Sequence, residues 1–217
     1  MTNNMHTFDE EMIDVYDLEG NFVRIQNRKE FNNEIKEDYQ LTGEVKYTVR
    51  SVGALLLNSE EDFLLVQRGN TFDSPGLIDK TIGGHVSSGE SYDSTVVREL
   101  EEEIGVEGVV AKNSDEFKEL LKTLDTTKIA VLLLLDNKNI LVNVEGDKQY
   151  KRSFDAGIYM GVYNGEINNF PDGSAKSSVN IPSNVLLEEI EKNKEKFTNS
   201  LPTLIKDYRD LILSKIR

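Results

Sequence analysis

Residues 84–106 read GHVSSGESYDSTVVRELEEEIGV, and this stretch decides how the rest of the 217-residue chain is interpreted. A glycine-containing loop leads into a segment that carries Glu99, Glu102 and Glu103. Residues three and four positions apart lie on the same face of an α-helix, so the three carboxylates would meet and repel one another. Arg98 is the only arginine within this cluster and cannot neutralise all of its charges. The pattern therefore predicts a helix whose acidic face needs a further cation.

The two ends of this helix carry residues that commonly begin and end helices. Ser91 is a suitable N-cap, and Gly105 suits the left-handed conformation that ends many helices. Val97, Leu100 and Ile104 recur at helical spacing and predict the face that packs on the core. We therefore expect a helix between Ser91 and Gly105, preceded by a loop whose glycines let the backbone approach a ligand closely.

A hard divalent cation would relieve the repulsion among these glutamates. Mg²⁺ takes oxygen ligands, keeps several waters and commonly bridges carboxylates to substrate phosphates. An ion held in this way polarises a phosphoryl oxygen and lowers the pKa of a bound water. The run Glu101-Glu102-Glu103 taken alone is typical of a solvated helix face, but the full pattern of loop, arginine and glutamates favours a metal site.

The full spacing matches a known signature, the Nudix box, with Gly84-x5-Glu90-x7-Arg98-Glu99-Leu100-x-Glu102-Glu103-x-Gly105-Val106. The chain thus resembles the Nudix hydrolases, although the box covers only about a tenth of its length. The resemblance implies an α/β fold in which a mixed β-sheet is sandwiched between α-helices. It also implies Mg²⁺ or Mn²⁺ as the cofactor and hydrolysis of a small-molecule substrate in which a diphosphate is linked to another group.

The resemblance implies which residues hold the metal and leaves the general base open. The ligands would be the carboxylates of Glu99, Glu102 and Glu103 and the carbonyl oxygen of Gly84. Many relatives place a further acidic ligand or base in the loop before the last helices. In this chain that loop offers Glu166 and Asp172, and neither lies in a recognisable motif, so the base stays unassigned.

The same resemblance assigns roles around these ligands. Glu90 and Arg98 would form the ion pair that orients the carboxylates, and they complete the predicted catalytic set. Arg68 is a candidate contact for substrate phosphate, because its planar fork matches phosphate oxygens; the alternative is a charge at the surface end of a strand. Gly84 and His85 would lie against the substrate, and for His85 the alternative is a structural role in the loop.

A narrower resemblance concerns the Nudix subgroup related to type I isopentenyl diphosphate isomerases. It rests on EMIDV at residues 11–15, SPGLID at 74–79, GGHV at 83–86 and the Phe197-Thr198 pair. The isomerases use a Cys at the position of Gly83 and several His residues, of which only His85 is matched here. We therefore predict a hydrolase. The open alternatives are an isomerase-like enzyme and a non-catalytic domain that senses a nucleotide.

Composition limits the partners of this protein. The chain has 39 Asp and Glu against 25 Lys and Arg, and its net charge of −14 argues against nucleic acid polymers and anionic membranes as partners. The absence of Cys excludes disulfides and thiolate metal sites and is typical of a cytoplasmic protein. The longest apolar run, residues 129–135, is too short to span a bilayer. His6 lies in a polar tail and is assigned no role, and a homodimer is one possibility.

We expect two parts in the chain. Residues 1–42 would be an N-terminal extension with a hairpin at 11–24 and a short helix at 29–38, and residues 43–217 would be the Nudix domain. Further strands are predicted at 47–57, 63–68, 128–135, 139–144 and 154–163, helices at 114–124, 184–194 and 200–215, and a long polar loop at 164–183. The segment at 112–128 resembles an insertion and is given no purpose.

Overall fold

A computed structural model of the chain describes residues 11–71, 74–144 and 149–216, so His6 lies outside the described residues. The strands are β1 Met12–Asp17, β2 Phe22–Asn27, β3 Tyr47–Leu57, β4 Asp62–Arg68, β5 Ile78–Asp79, β6 Ile82–His85, β7 Glu107–Ala111, β8 Ile129–Val144, β9 Tyr150–Val162 and β10 Ala175–Pro182. The helices are α1 Arg28–Thr42, α2 Tyr92–Ile104, α3 Ser114–Thr123, α4 Leu186–Lys192 and α5 Leu201–Ile216, with a 3₁₀ turn at Lys194–Lys196. Within these stretches, every helix is too short or too polar to cross a membrane.

The strands form one sheet whose centre is the parallel pair of β3 and β9. Along its other edge, β3 pairs in turn with β1, β6 and β4, and all three pairs are antiparallel. β8 pairs antiparallel with β9 and parallel with β7, and β10 pairs with β4 at the opposite end. Parallel and antiparallel pairs in one sheet confirm the predicted mixed-sheet α/β fold.

The side chains of β3 alternate between two hydrophobic cores, because successive residues of a strand point to opposite faces of the sheet. Val52, Ala54 and Leu56 belong to a buried cluster with residues of α2. Leu55 and Leu57 belong to a second cluster with residues of α3, α4 and α5. The sheet is therefore sandwiched, with α2 on one face (the α2 face) and α5 on the other (the α5 face).

The N-terminal residues join this sheet at β3. The predicted hairpin is confirmed as β1 and β2, and α1 extends beyond the predicted helix in both directions. Phe31 of α1 is buried against Ile13, Val15 and Val49 in a third, smaller cluster. The boundary between an extension and a main domain at residue 43 stays a prediction.

Two strand predictions for the second half of the chain were wrong. The predicted strands at 128–135 and 139–144 are one continuous strand, β8, with a register shift between Leu134 and Asp136. Backbone pairing with the long antiparallel strand β9 keeps the polar residues of β8 in an extended conformation across the predicted break. Their side chains also find partners on α5, since Asp136 accepts a hydrogen bond from Tyr208 at 2.6 Å.

The polar loop predicted at 164–183 contains a strand, β10, which lies at the end of the sheet. An edge strand gains backbone hydrogen bonds without burying its side chains fully, so a polar sequence is compatible with it. The segment at 112–128 contains the predicted helix as α3, whose Phe117 is fully buried in the core on the α5 face. This segment therefore contributes to the core.

Candidate active site

Helix α2 places the predicted carboxylates, and its ends are those expected from the sequence. Ser91 is the N-cap, and it forms a capping box with Ser94. Gly105 ends the helix in the left-handed conformation with φ of 65°. Leu100 and Ile104 are buried in the core on the α2 face, which fixes the rotation of the helix about its axis. The adjoining flank of α2, which carries Glu99 and Glu103, is thereby turned towards β6.

Two glycines of β6 allow the helix carboxylates to lie directly against the backbone. A Cβ atom on Gly84 would lie 1.9 Å from Oε1 of Glu99, so any larger residue would displace that carboxylate. The backbone N–H of Gly83 donates a hydrogen bond to Oε2 of Glu103 at 3.2 Å. The glycine pair therefore brings Glu99 and Glu103 to the same short stretch of strand.

Arg98 is the centre of the hydrogen-bond network of this site. Its Nε donates to Oε1 of Glu90 at 3.1 Å, and its Nη2 donates to Oε2 of the same carboxylate at 3.1 Å. Its Nη1 donates both to Glu99 at 2.9 Å and to Glu102 at 2.7 Å. Nη2 also donates to the carbonyl oxygen of His85 at 3.2 Å. One guanidinium thus binds three carboxylates, and the structure contains the predicted ion pair of Glu90 and Arg98.

The electrostatics of the cluster reflect its crowding. Burial raises the pKa of Glu99 to about 7, although Arg98 opposes the shift. Burial and the neighbouring charge of Glu99 raise the pKa of Glu103 well above its usual value. For Glu90 the cost of burial is outweighed by hydrogen bonds from Arg98 and Thr95, so its pKa is lowered. The site therefore holds more negative charge than its own cations stabilise.

The donors of this cluster suit a hard divalent cation, because carboxylate and backbone carbonyl oxygens are the ligands that Mg²⁺ prefers. Across the described parts of the chain, no group of three or more His, Cys, Asp or Glu side chains already surrounds one point as a metal ion requires. The reason is local, since Nη1 of Arg98 lies between the carboxylates of Glu99 and Glu102. The oxygen donors fit a hard divalent ion, and in this structure Arg98 occupies the position between Glu99 and Glu102.

His85 is placed at this site by β6 and has a defined environment. Its Nε2 lies 3.0 Å from Nη2 of Arg152, and its ring packs edge-on against Phe154. An arginine can only donate, so Nε2 must accept and the imidazole is neutral. Burial, with Arg152 and Arg28 nearby, holds the pKa of His85 well below its usual range. These contacts support the structural alternative for His85.

Arg68 lies at the end of β4, where it binds a buried carboxylate. Its Nη1 donates to Oδ2 of Asp79 at 3.1 Å, and its Nη2 donates to Thr71 at 3.3 Å. Asp79 is only 4% exposed, and it also accepts a hydrogen bond from Thr198 at 2.8 Å. The guanidinium therefore has a structural role at the strand end, and a contact with substrate phosphate stays a prediction.

The structure separates the two candidate acids of the loop after β9. Asp172 adjoins α2, because its backbone N–H donates to the carbonyl oxygen of Glu102 at 3.2 Å. Its charge also raises the pKa of Glu103. Glu166 is exposed beside Gly165, which packs against Thr127. Of the two, Asp172 is the acid that the fold brings to the carboxylate cluster.

Two residues near the cluster were missed by the sequence analysis. Glu11 precedes β1 and pairs with Arg28 at 2.6 Å; burial raises its pKa, and Arg98 and Glu102 act on it electrostatically. Lys80 lies between β5 and β6, with its side chain against Gly83. Glu11 was noted only as part of the predicted hairpin and of a family resemblance, Lys80 directly follows the residues noted at 74–79, and no spacing rule connects either residue to α2.

Comparisons with known proteins agree with this architecture. Residues 47–151 match the family model of the NUDIX domain. Among solved structures, the chain is similar to the Deinococcus radiodurans protein DR0079, with 18% sequence identity and a TM-score of 0.57 over 91% of this chain and 98% of that chain. It is also similar to the NUDIX domain of Shewanella oneidensis NrtR, solved with ADP ribose, with 16% identity and a TM-score of 0.50 over 81% and 97% of the two chains. No curated protein matches the sequence.

Proposed function

We propose that this protein, which has the Nudix fold and a NUDIX domain at residues 47–151, is a metal-dependent hydrolase of small organic diphosphates. The observation that carries the proposal is the arrangement of Glu90, Glu99 and Glu102 around Arg98, against the glycine pair of β6. Such a dense group of carboxylates beside exposed backbone is costly to maintain unless a cation and a phosphate use it.

The proposed metal is Mg²⁺ or Mn²⁺, and its ligands would be the carboxylates of Glu99, Glu102 and Glu103 with the carbonyl oxygen of Gly84. Such an ion supplies a Lewis acid for a phosphoryl oxygen and lowers the pKa of a bound water. The reaction is hydrolysis of a phosphoanhydride: water adds to one phosphorus, the bond from that phosphorus to the bridging oxygen breaks, and a proton is released. Of the acids in the loop after β9, Asp172 is the better placed to accept that proton.

The other site residues would position these groups. Glu90 holds Arg98 through two nitrogens, so Arg98 keeps its place even if Glu99 and Glu102 turn towards a metal. Gly83 and Gly84 leave room beside the strand for the side chains of Lys80 and Glu99. These roles are positioning and charge stabilisation, which contribute strongly to phosphoryl-transfer catalysis.

A substrate panel tests the proposal directly. Purified protein would be assayed with MgCl₂ or MnCl₂ for release of phosphate or pyrophosphate from nucleoside triphosphates, ADP-ribose, sugar nucleotides and isoprenoid diphosphates. ADP-ribose is included because the similar Shewanella oneidensis domain was solved with it. We expect metal-dependent hydrolysis of at least one member. Binding of a member without turnover above that of a Glu102→Gln, Glu103→Gln double variant would instead favour the nucleotide-sensing alternative.

An isomerase acting on isopentenyl diphosphate is the second candidate, and we expect it to fail. The position of the isomerase Cys is Gly83, whose vicinity is filled by Lys80. The one matching imidazole, His85, accepts a hydrogen bond from Arg152 and remains neutral. Incubation with isopentenyl diphosphate and metal should give no dimethylallyl diphosphate. Catalytic formation of that product would overturn the hydrolase assignment, whereas phosphate release would indicate a hydrolase that accepts isoprenoids.

A further inference from the structure

We infer that Lys80 is a substrate-binding residue of this site and that its ammonium group contacts an oxygen of the substrate diphosphate. Because this role rests on the proposed function, it adds a specific contact to that function. Lys80 lies outside the Nudix box, between β5 and β6.

The backbone around Lys80 leaves a channel for its side chain. Gly53 of β3 and Gly83 of β6 are paired on adjacent strands. A Cβ atom on Gly53 would lie 3.2 Å from Cδ and Cε of Lys80, and one on Gly83 would lie 2.4 Å from Cε and 2.8 Å from Nζ. The lysine therefore lies across two facing glycines, and its side chain is only 21% exposed. Most surface lysines extend into water, so this path requires an explanation.

A buried carboxylate anchors the lysine without using all of its donors. Nζ of Lys80 lies 3.6 Å from Oδ2 of Asp79, which is beyond normal hydrogen-bond distance. Asp79 is itself fixed by Arg68 and Thr198. An ammonium group has three donors, so Lys80 is held in place electrostatically and still has hydrogen-bonding capacity for a ligand.

The ammonium group lies near Glu103, one of the carboxylates of the cluster. Glu103 accepts a hydrogen bond from the backbone of Gly83, the same residue that Nζ of Lys80 approaches. Arg98 is already engaged by three carboxylates and a carbonyl oxygen. A diphosphate that enters this acidic site needs a cation with free donors, and lysine is a common phosphate ligand. Lys80 lies beside the cluster, carries a positive charge and has N–H donors available for a phosphate oxygen.

The experiment separates phosphate binding from a merely structural role. Lys80→Met removes the charge and keeps the length that fills the glycine channel, and Lys80→Gln is the second variant if the methionine protein folds poorly. The probe is methylenediphosphonate, a non-hydrolysable diphosphate analogue, titrated calorimetrically in MgCl₂. We expect affinity to fall by about 10- to 100-fold, as for the loss of one charge-assisted hydrogen bond. The KM of the best substrate should rise, and Lys80→Arg should retain most of the affinity.

Lys46→Met is the matched control, because it removes the same charge from a surface lysine paired with Asp38 at 3.1 Å. It should bind the analogue as wild type does. Equal affinity and equal KM in wild type and folded Lys80 variants, or no binding by wild type, would overturn the inference. If wild type binds the analogue but hydrolyses no diphosphate, the proposed function fails, and the same binding comparison still decides the role of Lys80.

Discussion

Arg98 holds three carboxylates of the site by hydrogen bonds from different nitrogens. Its Nη1 binds Glu99 and Glu102 together, while Nε and Nη2 bind Glu90. Because the two sets of bonds use different nitrogens, Glu99 and Glu102 can leave Arg98 for a metal while Glu90 keeps the guanidinium in place. Arg98 therefore stabilises the acids in this structure, and under the proposed function it would keep its position when a metal binds.

At the residue scale, we expect hydrolysis to depend on the charge of Glu102 and of Glu103. Replacing either by Gln keeps its size and should lower turnover more than about 100-fold, since loss of an outer-shell partner alone costs 10- to 100-fold. The melting temperature should be kept or raised, because like charges at helical spacing repel. Turnover and thermal unfolding would be measured on each variant.

Glu101→Gln is the control for this prediction, since Glu101 is an exposed residue of the same helix. It should behave as wild type. Near-wild-type turnover of either the Glu102 or the Glu103 variant would show that the metal assignment is wrong.

At the scale of elements, the hairpin of β1 and β2 stabilises the loop that precedes α2. The backbone N–H of Ser88 donates to the carbonyl oxygen of Met12 at 2.8 Å, and Ile13 forms an antiparallel bridge with Ser87. Ile13 itself is buried with Phe31. The N-terminal residues, which precede the matched domain, thus hold the loop of the Nudix box.

Ile13→Ala should therefore destabilise the protein by about 2–5 kcal/mol, because the substitution leaves a cavity in a packed cluster. Amide exchange at Ser88 should accelerate, since its acceptor lies on the loosened strand. Denaturant unfolding and hydrogen exchange measure the two effects. Ile25→Ala is the control, because Ile25 lies in the same hairpin and is 53% exposed, and it should cost less than about 1 kcal/mol. Equal losses in both variants would contradict the packing role of β1.

Asp79 of β5 accepts a hydrogen bond from Thr198, which lies before α5, and we expect this carboxylate to make the stability depend on pH. Burial raises its pKa, but Lys80, Thr198 and Arg68 outweigh burial and hold the pKa below its usual value. A carboxyl with a lowered pKa in the folded state stabilises the protein above its unfolded pKa of about 3.9. This contribution is lost as the pH falls through the lower, folded pKa.

Asp79→Asn should accordingly cost about 3 kcal/mol near neutral pH, because it leaves the partly buried cations Arg68 and Lys80 without their charge partner. The cost should shrink as the pH falls below about 4. Denaturant unfolding across the acid range would show the difference between variant and wild type. Asp210→Asn, at a 92%-exposed side chain, is the control and should change little. A cost that did not vary with pH would contradict the ionic role of Asp79.

At the scale of the whole molecule, the net charge of −14 adds to the repulsion within the carboxylate cluster. A cation that binds the folded state preferentially raises the unfolding temperature. We therefore expect MgCl₂ to raise the melting temperature more than NaCl at matched ionic strength, which controls for general screening. The Glu102→Gln, Glu103→Gln double variant should lose this difference. Equal shifts with both salts in wild type would count against a specific metal site. The possible homodimer stays a prediction.

The sequence by itself determined the features that depend on short spacing along the chain. The helix between Ser91 and Gly105, its apolar face and its clustered glutamates follow from a period of 3.6 residues. The ion pair of Glu90 and Arg98 and the mixed-sheet fold were reached through the Nudix box. In each case the interacting residues, or the residues of the signature, are close in sequence.

Only the tertiary structure decided the features that depend on strand register. Lys80 reaches the cluster because Gly53 pairs with Gly83 across two strands. Glu11 reaches it because β1 pairs with β3. The continuity of β8 and the existence of β10 likewise depend on β9 and β4 as partners. Backbone hydrogen bonds to a neighbouring strand outweigh the low strand preference of polar residues. The order of residues along the chain does not specify which strands become neighbours.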